Sequence, residues 1–207
     1  MIKRTELVVA TRNKKKLKEI KQLLKGYNFS ISSLCDYRKL PAIIEDGLTF
    51  SQNAMKKALT IAGALKKLTL GEDSGLEVKV LRGKPGVFSA RYAGKGATDD
   101  RNNKKLLKGL AGIPRHKRKA RYVCSVALAD GRGLIGVVEG QCSGLISFEE
   151  RGKAGFGYDP LFLIPRYNKT FGELGERIKH TMSHRSKALK KIRPFILAYQ
   201  KSQRQNP

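Results

Sequence analysis

Leu7-Val8-Val9-Ala10-Thr11-Arg12-Asn13-Lys14-Lys15-Lys16-Leu17 is the stretch on which the fold reading turns. Leu7–Ala10 is a short apolar run with β-branched residues, the pattern of a buried strand. After the polar step Thr11–Asn13, Leu17, Ile20, Leu23 and Leu24 recur at helical spacing, and Gly26 offers a stop. The chain therefore opens as strand, polar turn, helix. Lysines in the first turn of a helix oppose its dipole. Backbone N–H groups at the same place attract phosphate, so a phosphate cradle is one reading and a basic surface helix the other. The stretch is not a Walker motif, since GxxxxGK[ST] is absent.

Working outward, a second helix is expected from about Ser51 to Leu65, capped by Thr49 or Ser51. Leu76–Val80 reads as a strand, Gly83–Gly86 as a turn, and Asp99–Leu110 as a helix ended by Gly112 and Pro114. Arg121–Ala129 and Leu134–Glu139 pair as a hairpin across Asp130–Gly133. Phe162–Ile164 is a short strand. Arg185–Tyr199 is a terminal helix broken or kinked at Pro194, and Ser202–Pro207 a frayed tail. Arg115–Lys119 reads as an exposed basic loop. No repeat or linker interrupts this order, so one mixed α/β domain over 1–207 is the economical reading.

The chain has 207 residues, 40% hydrophobic and 7% aromatic, enough for a packed core. No apolar run is long enough to span a membrane, and the basic start Met1–Arg4 lacks the apolar run of a signal peptide. The three cysteines, Cys35, Cys124 and Cys142, are far apart, which excludes a CxxC site and argues for a reducing, cytoplasmic location. Forty-three Lys and Arg against 17 Asp and Glu leave a net charge of +26, and no acid follows Glu176. That charge predicts weak non-specific attraction to nucleic acid, though no recognition-helix, RNP or zinc-finger signature accompanies it.

In so basic a chain, paired acids are informative. Glu45-Asp46-Gly47 and Glu72-Asp73-Ser74-Gly75 read as acidic turns, and phosphate-anhydride hydrolysis needs Mg²⁺ held by one or two carboxylates. They are equally ordinary turn-forming acids when taken alone. Gly155-Phe156-Gly157-Tyr158-Asp159-Pro160 builds a loop able to lay a ring against a nucleobase, or a plug between strands. Lys179 and Ser183-His184-Arg185 lead into the last helix, and their donors suit a base edge that accepts hydrogen bonds.

These segments, in this order, resemble the inosine/xanthosine triphosphate pyrophosphatase family from about Leu7 to Leu189. The match runs through Ala10–Asn13 and Lys16, then Glu45–Phe50 with Asn53-Ala54 and Lys57, then Asp73–Val78. Pro85–Gly94, Gly155–Pro160 and Ser183–Arg185 complete it. The resemblance implies an α/β fold, an elongated mixed β-sheet flanked by helices, with two lobes and an active-site groove between them. It implies hydrolysis of deaminated purine nucleoside triphosphates to the monophosphate and pyrophosphate, with Mg²⁺ as cofactor and Mn²⁺ able to substitute, by a homodimer.

Carried over by position, Thr11, Asn13 and Lys16 would hold the triphosphate, in a substrate-binding stretch that includes Arg12, Lys14 and Lys15. Glu45 and Asp73 would ligate the metal, Glu72 would be a further ligand, and Asp73 would accept the proton of the attacking water. Lys57 would reach a phosphate and Ser74 the nucleotide. Phe156, Gly157, Tyr158 and Asp159 would form the nucleoside loop, with Phe156 stacked on the base. Lys179, His184 and Arg185 would read the base. The chain departs from the family pattern at Lys15, often glycine, and at Gln52, usually Glu. Glu72 stands where Asp is frequent, and Glu173–Glu176 and Ser186 also depart. The rivals are a nucleic-acid-binding protein indifferent to Asp73, and a related enzyme acting on pyrimidine nucleotides.

Overall fold

A computed structural model describes residues 4–205. Met1–Lys3 of the basic start, and Asn206 and Pro207 of the expected tail, lie outside the described residues. The elements run β1 (Thr5–Val9), α1 (Lys14–Leu23), β2 (Phe29–Ser33), α2 (Phe50–Leu65), β3 (Thr69–Val78) and α3 (Asp99–Gly109). They continue through β4 (Lys119–Asp130), β5 (Gly133–Ile146), β6 (Phe162–Ile164), β7 (Lys169–Thr170), α4 (Phe171–Met182) and α5 (His184–Gln205). The strands form one seven-stranded sheet in the order β2-β1-β3-β4-β5-β6-β7. β1 pairs in parallel with β2 and β3, whereas β6 is antiparallel to β5 and β7, so the sheet is mixed.

The chain divides into two compact units. One holds the residues up to Asp73, Cys124–Gly140 and everything from Arg185; the other holds Ser74–Val123 and Gln141–His184. In the first unit the period-two alternation of the strands sorts the helices. Leu7 and Val9 of β1, Leu70 of β3 and Val126 and Leu128 of β4 pack with Ile20 and Leu24 of the α1 segment and with Ala188, Leu189 and Ile192 of α5. The alternate residues, Val8 of β1 with Ala10 just beyond it and Ala127 and Ala129 of β4, meet α2 through Ile61 and through Ala54, Ala58 and Ala62. These small side chains let α2 lie close. A Cβ on Gly71 would stand 2.2 Å from the Ala54 carbonyl oxygen and 2.6 Å from the Ala58 nitrogen.

The second unit packs Leu76 and Val78 of β3, Leu106 of α3, Tyr122 of β4, Ile146 of β5 and Phe162 of β6 with Phe171 of α4. Tyr122 is its hub, with ring centroids 4.6 Å from Phe162 and 4.5 Å from His184.

Several expectations change. Glu72–Gly75 is not a turn but the middle of β3, which begins at Thr69, not Leu76, and ends at Val78. Turn-prone Asp, Ser and Gly are overridden because this strand is covered, with Leu70 through Asp73 all buried. The expected hairpin strands are longer, at Lys119–Asp130 and Gly133–Ile146. α5 is assigned continuously through Pro194 and through the expected tail as far as Gln205. The expected basic loop is instead an exposed 3₁₀ turn at Arg115–Lys117, a buried Arg118 that donates to the carbonyls of Ile113, Leu110 and Ser147, and Lys119 opening β4. β2, β7 and α4 were not expected from periodicity, because each is short or interrupted; α4 contains Gly175 at φ 73°.

Candidate active site

The first group of site residues belongs to the first unit. Asn13 is the N-cap of α1, and its side-chain oxygen accepts from the Lys15 and Lys16 backbone N–H groups at 3.0 and 3.1 Å. Thr11 Oγ1 in turn accepts from the Asn13 N–H. The two N–H groups best placed for a phosphate are thus already capped. Cationic side chains remain for an anion: Arg12, Lys14 and Lys15 are exposed, and Lys16 is half-buried. Lys15 adds an exposed cation at the second helical position, where its backbone N–H is held by the Asn13 cap.

Asp73 is buried on β3 and faces α2, where Lys57 and Asn53 lie one turn apart. Lys57 Nζ stands 2.9 Å from Asp73 Oδ1 and 2.8 Å from Glu45 Oε2, and also donates to the Glu72 carbonyl. Two carboxylates from a loop and a strand therefore converge on one cation. Asn53 Nδ2 donates to Asp73 Oδ2, while its Oδ1 accepts from the Gly47 N–H, tying the Glu45 loop to the same helix turn. Burial pushes the Asp73 carboxyl above the usual carboxylate range, only partly offset by Lys57 and Lys16. Burial acts to lower Lys57, but Asp73 and Glu45 outweigh it and hold the ammonium above its ordinary value. Gln52, where a charge was expected, completes a capping box: its Oε1 accepts from the Leu48 and Thr49 N–H groups while Thr49 caps its own. Gln serves that position as well as Glu.

Glu72, expected as a metal ligand beside Asp73, points to the opposite face of β3, because neighbours on a strand alternate. Its carboxylate is held by Arg185 at 3.0 Å, by Lys16 at 2.9 Å and by the Cys124 thiol at 3.3 Å. Arg185, expected as a base reader, is itself fully buried and also binds Glu19 at 2.5 Å. Burial works against its charge, but Glu72 and Glu19 more than compensate and raise it above its ordinary value. The structure thus joins Glu72 and Arg185 to each other and to Glu19, the one acid of a lysine-rich helix, rather than to the Asp73 group. Glu19 was legible only as that exception.

The second group belongs to the second unit. Asp159 organises the Gly155–Pro160 loop: its Oδ2 accepts from the Phe156 N–H at 2.9 Å and from Lys179 Nζ at 2.8 Å. A Cβ on Gly155, at φ +79°, would stand 2.0 Å from that same oxygen, so glycine is required there. Lys179 lies 4.9 Å from the Phe156 ring centroid. Tyr122 donates toward Asp159 and stacks on buried His184, which places His184 behind the Asp159–Lys179 pair. Tyr158 is buried and donates to the Ser89 carbonyl. Gly157 is pinned from α3 at both ends, its N–H by Asp99 and its carbonyl by Asn103, two anchors the sequence did not suggest. Ser74 is half-buried where β3 enters this unit.

Among the described residues no three or more His, Cys, Asp or Glu side chains form a metal cage. Mg²⁺ does not need one, since it keeps waters and binds through one or two carboxylates and substrate phosphates. The hard oxygens of Glu45 and Asp73, already converging on a cation, fit that demand.

Paired carboxylates, a cationic helix mouth and an aromatic loop on a mixed α/β scaffold are parts that a hydrolase of nucleotide metabolism can use, and the relatives place the chain in that class. The chain belongs to the Ham1 family, whose model matches residues 7–195. It is 48% identical over 191 residues to a protein from Desulforamulus reducens named dITP/XTP pyrophosphatase, covering 92% of this chain and 95% of that one. A protein of the same name from Rhodopirellula baltica is 46% identical over 193 residues, with 93% of each covered. The Ham1 protein of Coxiella burnetii superposes with a TM-score of 0.84 at 36% identity, covering 94% of this chain and 99% of that one. The Staphylococcus aureus Ham1 protein gives 0.81 at 34%, covering 94% and 100%.

Proposed function

We propose that the protein is a Mg²⁺-dependent dITP/XTP pyrophosphatase that hydrolyses ITP, dITP and XTP to the nucleoside monophosphate and pyrophosphate, cleansing the nucleotide pool. The observation that carries this reading is the convergence of Glu45 and Asp73 on Lys57, within a chain of named pyrophosphatase relatives. Water attacks the α-phosphorus, the bond to the bridging oxygen breaks, and pyrophosphate leaves. Asp73 accepts the proton of the attacking water. Lys57 and Lys16 face the charge that moves onto the leaving group. Glu45 and Asp73 would hold Mg²⁺, which would supply Lewis-acid chemistry to the phosphates.

Phe156 offers its ring to the purine, and Lys179 beside it donates to the 6-oxo acceptor. Adenine carries an amino donor at that position, so a buried donor facing it stays unpaired, a mismatch of about 1–3 kcal/mol or more. Arg185 acts on this reading as a positioning residue for Glu72. The same reading makes the enzyme a cytoplasmic homodimer; among the described residues no helix is long and apolar enough to cross a membrane. The test is pyrophosphate release from ITP, XTP, dITP, GTP and ATP, with Mg²⁺ and with EDTA. Metal-dependent preference for ITP, dITP and XTP is expected, with Mn²⁺ restoring turnover after EDTA. Equal rates on ATP would remove the proposed base discrimination.

A further inference from the structure

The catalytic groups account for few of the basic residues behind the +26 charge. In the first unit, α1 and α5 share one core, through Ile20 and Leu24 on one side and Ala188, Leu189 and Ile192 on the other. Their solvent faces are basic. Lys18, Lys21 and Lys25 are exposed along and just beyond α1, and Lys187, Lys190 and Arg193 along α5. The Arg193 guanidinium stands 5.4 Å from the Tyr27 ring centroid, which brings the α5 strip against the end of α1. Acids are few here: α5 contains none, Glu19, the one acid of α1, is buried against Arg185, and exposed Asp36 lies within electrostatic reach of Lys21.

We propose that this α1–α5 face binds the phosphate backbone of nucleic acid. Lys14, Lys18 and Lys21 lie at i, i+4 and i+7, so they form a row spaced about 6 and 4.5 Å along the helix. Each strand of a duplex carries a phosphate about every 3.4 Å of axis, a spacing long lysine side chains can match. The row therefore runs about 10 Å along α1, from the helix mouth to its last turn. A lipid surface is the poorer fit. A helix lying on a bilayer inserts its apolar face, and that of α1 is already committed to the core.

The test is binding of the full chain to short labelled duplex DNA, duplex RNA and single strands, followed by anisotropy over a salt series, with pyrophosphate release measured in parallel. With about six phosphates neutralised, duplex DNA affinity falls about 10³-fold between roughly 50 and 200 mM salt. The triple variant Lys21→Gln/Lys25→Gln/Lys190→Gln reduces the magnitude of the log–log salt slope by about 3 and leaves nucleotide turnover unchanged. The triple Lys108→Gln/Lys117→Gln/Lys119→Gln removes the same charge from exposed sites of the other unit and keeps the slope. Tighter binding in the DNA or the RNA arm supports the proposal and names the source of the backbone. Absence of binding at low salt overturns it, as does equal weakening by both triples, which would mark bulk charge. Anionic vesicles held as tightly as duplex, and released by the same triple, would also overturn it in favour of a membrane surface.

Discussion

The Asp73 group and the Lys179 group are both buried ion pairs, yet they are built for different work. Around Asp73 the partners are polar: Lys57, which also holds Glu45, and the amide of Asn53. Behind it, on the other face of β3, Glu72, Arg185, Glu19 and Lys16 form a second ionic cluster. Around Lys179 and Asp159 the partners are ring residues: Phe156, Phe171 and Tyr122, the last stacked on His184. On the proposed function the first arrangement handles charge that moves, since it would offer carboxylates to a metal and cations to phosphate. The second fixes shape, because one ion pair anchors the loop that carries the Phe156 ring. A phosphate-handling region needs surplus charge of both signs; a base-reading region needs one donor held still.

This contrast can be broken most sharply at Asp73. Asp73→Asn is expected to lower pyrophosphate release by about 10²–10⁴-fold, the usual contribution of a general base. Lys57 keeps Glu45 and the Glu72 carbonyl, so the melting temperature should hold. Near-normal turnover would remove Asp73 from the chemistry.

Arg185→Met should instead act on the fold. It removes the guanidinium from two buried carboxylates, Glu19 and Glu72, at a cost of about 3–5 kcal/mol. For a chain of this size that lowers the melting temperature on the order of 10 °C, read by calorimetry. A stable variant that instead lost only its discrimination between ITP and ATP would return Arg185 to base reading.

Phe156→Ala should give the smallest of these effects and a different kind. Losing a stacking ring weakens binding by about 1–3 kcal/mol. KM for ITP is therefore expected to rise roughly 10-fold or more, with kcat and melting temperature little changed. A fall in kcat at constant KM would mean that the loop positions the triphosphate rather than the base.

Much of this was legible in the residues. The strand–turn–helix start, the Thr49 cap, α3 and the pairing of Lys119–Asp130 with the strand that follows all rest on local patterns of period two or 3.6 and on caps. The candidate residues were legible as types, acids in a basic chain and glycines around an aromatic. Their partners were not. Glu72 and Asp73 are adjacent in sequence and look like one ligand pair, but a covered strand sends them to opposite faces and gives them different tasks. Arg185 follows His184 in one motif, yet the side chains are engaged by Glu72 and Glu19 in one case and by the Tyr122 ring in the other. Asn53, Glu19, Asp99 and Asn103 acquire meaning only through contacts with residues distant in the chain. Composition and periodicity report what each segment can bury; which charge meets which depends on the packing of helices against the two faces of the sheet, and only the tertiary structure decides that.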